Sequence, residues 1–143
     1  MKMYKTNMKI GDDTRRAVIV NYIPEKTKDI VVVDRLHHIL MIDRSYSMSG
    51  ELDNLVENVK HVITKIADND LVSIVWFSGI GQCRTLIKGA MKSDDLNTII
   101  DTMKSPVGST CFSEPFGEVE KIISDLKSIC ENFNVLMLSL IHI

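Results

Sequence analysis

A chain of 143 residues, 45% hydrophobic and 25% charged, has the length of one domain and enough apolar side chains for a conventional core. A formal charge of -2, a pI near 6.1 and the absence of any Lys/Arg run leave no electrostatic footprint for nucleic acid. No apolar run reaches the length of a signal peptide or a membrane span, which predicts a cytoplasmic protein with no membrane partner.

The first 35 residues read as an N-terminal β-strand segment. Residues 16–23 (RAVIVNYI) and 29–33 (DIVVV) are β-branched runs separated by the polar, turn-like stretch 24–28 (PEKTK). From residue 36 the pattern changes. Ile39, Leu40, Met41 and Ile42 form a short continuous apolar run, the mark of a strand buried on both faces, and it stops at Asp43. Leu52, Leu55, Val56, Val59, Val62, Ile63 and Ile66 then recur at spacings of three and four, which predicts a helix over 51–67. Leu71–Phe77 (LVSIVWF) is apolar on both faces again, so the helix carries the chain back to a parallel neighbour.

Residues 82–88 (QCRTLIK) follow too closely for a crossover and are expected to pair antiparallel as an edge strand. Ser93 is expected to cap a helix bearing Leu96, Ile99, Ile100 and Met103. After a loop at 105–111, Ser113 is expected to cap a second helix whose apolar face holds Phe116, Val119, Ile122, Ile123, Leu126, Ile129 and Cys130. A last buried strand begins at Val135. Strands alternating with helices in this order give an α/β layer architecture with a mostly parallel sheet. The apolar last strand needs cover on both faces and leaves an open edge, which predicts self-association.

In open α/β sheets the ligand site lies beyond the carboxyl ends of the parallel strands. The loop after Ile42 reads Asp43-Arg44-Ser45-Tyr46-Ser47 and sets one carboxylate and two hydroxyls at alternate positions. That donor set suits a small hard cation such as Mg²⁺, which takes oxygen ligands and keeps some waters. The competing reading is that Asp43 and the serines merely cap the following helix.

D-x-S-x-S after a hydrophobic strand and before a helix resembles the metal-ion-dependent adhesion site of von Willebrand factor type A domains. Gly108-Ser109-Thr110 falls where that family carries its second element, a Thr in a Gly-containing loop. The resemblance covers residues 36–138. It implies a Rossmann-like three-layer fold with a mostly parallel central sheet, here incomplete and preceded by extra N-terminal strands. It also implies a site in which Ser45, Ser47 and Thr110 offer hydroxyls to Mg²⁺ or Mn²⁺, Asp43 acts largely through water, and an Asp or Glu of a protein partner completes the coordination.

The family's third element, an Asp directly after the fourth strand, has Leu140 in its place here. With that carboxylate missing the cation is expected to be held weakly. Residues 36–143 are therefore expected to be a truncated domain of this kind, with 138–143 non-native. Those six residues, Leu-Ser-Leu-Ile-His-Ile, equal the in-frame translation of the transposon-end sequencing adapter CTGTCTCTTATACACATC.

Two other functions compete. A metal-independent scaffold of the same fold is favoured by the missing Asp. A phosphotransferase with an aspartate nucleophile requires an acid two residues on, where Ser45 stands. Gly79-Ile80-Gly81 lacks the third Gly and the following helix of a dinucleotide loop. No Ser-His-Asp or Cys-His arrangement is visible, so no enzyme is expected. His37 and His38 read as solvent-facing or edge residues and Trp76 as core. Cys83, Cys111 and Cys130, without a C-x-x-C pair, read as small buried hydrophobes rather than a disulfide framework or zinc site.

Overall fold

The structure is a computed structural model that describes residues 2–10, 13–21, 35–92 and 94–139. β1 (Lys2–Ile10) and β2 (Asp13–Asn21) form an antiparallel hairpin in register from Lys2 opposite Asn21 to Ile10 opposite Asp13. The sequence predicts only one strand there, at 16–23, and not β1, whose three lysines interrupt its apolar positions. The two-residue Gly11-Asp12 connection is the hairpin signal that was available. The strand expected at 29–33 lies outside the described residues.

The second sheet has the order β5-β4-β3-β6, built from β3 (His37–Asp43), β4 (Leu71–Phe77), β5 (Cys83–Met91) and β6 (Phe133–Leu138). β3 pairs in parallel with β4 on one side and β6 on the other, and β5 closes the β4 edge antiparallel, as expected from its short connection. Side chains alternate across a strand, so β3 serves two cores at once. Leu40 and Ile42 join Val72 and Ile74 beneath α1 (Leu52–Lys65), which contributes Leu52, Leu55, Val56, Val59 and Ile63. Ile39 and Met41 join Val75 and Phe77 beneath α3 (Ser113–Leu126), which contributes Val119 and Ile122. Burial on both faces is why β3 and β4 read as unbroken apolar runs.

Several boundaries depart from expectation. The helix expected from Ser93 is α2 (Asn97–Asp101), continued by a 3₁₀ turn at Thr102–Lys104, and Ser93 lies outside the described residues. Leu96, Ile100 and Met103 are buried, but so short a helix leaves Ile99 exposed. Ser113 does not cap α3. It is the first helical residue, Phe112 precedes it in the cap position without a side-chain bond, and the Ser113 hydroxyl lies 3.3 Å from Cys111 Sγ. Phe116 and Ile129, expected on the covered face, are 48% and 56% exposed. Ile129 falls after the helix has ended.

His37 corrects the expectation most. β3 starts two residues before the apolar run, so His37 is fully buried, with Nε2 2.8 Å from Ser73 Oγ and its ring tilted against Phe133 at 5.4 Å. His38 is half-buried and paired with Asp70, 3.1 Å away, which the neighbouring strand brings from 32 residues on. The three cysteines are free, with Cys130 buried and the other two half-buried.

Candidate metal centre

Three loops meet at the carboxyl end of the parallel strands. The loop leaving β3 stays in the ladder for one more bond, Arg44 N–H to Phe77 O at 2.9 Å. The 105–112 loop lies against it, with Val107 N–H donating to Arg44 O at 2.8 Å and Tyr46 N–H donating to Gly108 O at 3.0 Å. Gly108 has φ +67, and a Cβ there would run into Gln82 Oε1, so both the turn and the close approach require glycine. The same loop is tied to the β4–β5 connection by Cys111 N–H to Ser78 O at 2.7 Å. Ser78 Oγ in turn donates to Gln82 Oε1 at 2.9 Å.

Within this cluster Asp43 is 1% exposed. Its Oδ1 accepts from Ser45 N–H at 2.9 Å, the local turn that Asp favours, and its Oδ2 accepts from Ser139 Oγ at 2.6 Å. Ser45 is also 1% exposed, and its Oγ lies 2.8 Å from the Oγ of exposed Ser47. Thr110 is exposed and sits between Gly108 and Cys111, the two residues that hold its loop in place. Asp43, Ser45 and Ser47 are thus directly linked, while Thr110 is brought to the same end of the sheet by its backbone. Ser139, in the stretch 138–143 expected to be non-native, is not among the expected site residues, yet it bonds Asp43. Its position directly after a strand parallel to β3 is the signal that points to it.

The capping alternative does not describe these side chains. Ser45 precedes a 3₁₀ turn at Tyr46–Met48 and makes no side-chain cap bond, and the residue before α1 is Glu51, likewise without one. Among the described residues no group of three or more His, Cys, Asp or Glu side chains comes together, so a cation here would meet hydroxyls around a single carboxylate.

No family model matches the chain, and no curated protein matches it. Solved structures do. The pilus adhesin SpaC from Lactobacillus rhamnosus GG, in its open conformation, aligns with a TM-score of 0.62 at 14% identity over 96% of this chain and 18% of its own. The three N-terminal domains of the type V pili tip protein Mfa5 from Porphyromonas gingivalis align with a TM-score of 0.60 at 12% identity, over 95% of this chain and 25% of that one. The PilB minor pilin from Streptococcus sanguinis aligns with a TM-score of 0.57 at 15% identity, over 96% and 46%. The fold is similar to theirs. This chain spans less than half the length of each. Among the described residues no helix is long and apolar enough to cross a membrane.

Proposed function

We propose that this chain is a protein-binding module of the von Willebrand factor type A kind, which engages an Asp or Glu of its partner through a divalent cation. Asp43, Ser45, Ser47 and Thr110 would hold the ion, Mg²⁺ or Mn²⁺, and the ion would supply an open position for the incoming carboxylate. The observation that carries this reading is the pair of hydroxyls 2.8 Å apart beside a buried carboxylate at the end of the central strand. Burial of Asp43 fixes its rotamer, and its bond to Ser45 N–H sets the path of the loop that presents both serines. The similar folds of a pilus adhesin, a pilus tip protein and a minor pilin support binding to proteins rather than turnover.

One observation favours a second reading, a scaffold that uses no metal. Both Asp43 oxygens already have donors, and Ser45 and Ser47 satisfy each other, so the polar cluster closes without an ion. A single carboxylate also leaves the cation weakly held.

Thermal unfolding separates the two. For a Kd near 1 mM, about 10 mM Mn²⁺ stabilises the folded chain by about 1.4 kcal/mol, which raises the unfolding midpoint by about 4 °C over an EDTA control. Ser47→Ala, at an exposed position, should abolish the rise. No rise in the unaltered chain would favour the scaffold.

A further inference from the structure

Beside the candidate metal centre, on the opposite face of the β3 end, stands a group that the function above does not use. The Arg44 guanidinium lies 4.0 Å over the ring of half-buried Trp76. Arg84 is opposite Trp76 in the β4–β5 ladder and exposed. Strand alternation explains the grouping. Ladder partners project to the same face, and Arg44 comes two residues after Ile42, itself paired with Trp76. The three side chains therefore form one row across the ends of β3, β4 and β5.

Among the described residues this row carries two positive charges and no counter-charge. Among the described residues neither guanidinium has a carboxylate within ion-pair distance, and Arg44 Nε is buried without a hydrogen-bond partner. An anion between the two guanidiniums would offset their like charge and supply the missing acceptor. A planar guanidinium stacked on an indole is already restrained, so it loses less freedom on binding than a free side chain does.

We propose that Arg44, Trp76 and Arg84 form a metal-independent carboxylate subsite that takes a second Asp or Glu side chain of the same protein partner. Arg44 directly follows Asp43, so the subsite and the candidate metal centre lie at one end of the sheet, within reach of neighbouring residues on one acidic segment. The assignment to a single partner rests on the metal-dependent reading above; the affinity of the row for a carboxylate does not.

Trp76 is the only tryptophan in the chain, so emission comes from this end of the sheet, and the EDTA arm isolates the subsite from the candidate metal centre. The test titrates the full 143-residue chain with tri-glutamate at low salt, first in EDTA and then in Mg²⁺. A saturable change in emission is expected in EDTA, with none for tri-glutamine. Arg84→Gln, at an exposed position, should weaken binding about tenfold, the scale of a lost charge-assisted hydrogen bond. Arg44→Lys should also weaken it, since it keeps the charge but loses the planar fork.

A flat titration in EDTA, an equal response to tri-glutamine, or unchanged affinity in Arg84→Gln overturns the proposal. Tighter binding of inorganic phosphate than of tri-glutamate overturns the choice of a carboxylate. If Mg²⁺ never strengthens binding while the EDTA response persists, the metal-dependent reading fails and the subsite stands.

Discussion

His37 shows how one buried side chain couples this fold to pH. Burial, with a smaller contribution from His38, pushes its pKa down from 6.5 to about 4. The unfolded chain therefore binds the proton more readily than the folded one between those values. Stability is unaffected above about pH 6.5 and falls as pH drops toward about 4, where the folded state takes up the proton as well. A shift of this size corresponds to about 3 kcal/mol across the window. Urea midpoints measured from pH 7 to pH 4 should decline less steeply for His37→Leu than for the unaltered chain, and equal slopes would show that His37 is not responsible. Its role was hidden in the sequence because Ser73 and Phe133 reach it only through strand pairing. Asp43, Ser45 and Ser47 were legible because their spacing is local. Ser139 and the Arg44–Trp76 stack were not, since each depends on which strand lies beside which.

At the scale of elements, legibility follows how strongly burial imposes a period. β3, β4 and α1 face apolar neighbours along their whole length, and the sequence placed them within a few residues. α2 was anticipated from Leu96, Ile99, Ile100 and Met103 but has only five helical residues, so its bounds were not legible, and β1 is rich in lysine. β6 was anticipated, though it starts two residues earlier than expected, and all six of its residues are only half-buried at the sheet edge. β2 of the hairpin lies against this strand without joining its sheet, so the outer ladder of β6 is left as a template for pairing with another chain. The 143-residue polypeptide should therefore sediment as dimers or larger species with increasing concentration. A monomer at every concentration, unfolding in one cooperative step, would contradict this.

For the whole molecule, the order of elements led to a sheet with helices on both faces, and that arrangement fixes where the function can be. Three parallel strands end together, and the loops after β3 and before α3 are bonded at that end. The site's chemistry is set by what stands there, one buried carboxylate with hydroxyls around it. On the proposed reading the weak point is Leu140, which occupies the position of the family's second carboxylate and lies outside the described residues. Isothermal titration of Mn²⁺ into the Leu140→Asp chain tests the central claim most directly. Affinity should rise at least about tenfold over the unaltered chain, as expected when a hard cation gains a carboxylate, and Asp43→Asn in the same background should remove it. A Leu140→Asp chain that binds Mn²⁺ no better than the unaltered one, or that binds it equally well with Asp43→Asn, would contradict the metal-site reading.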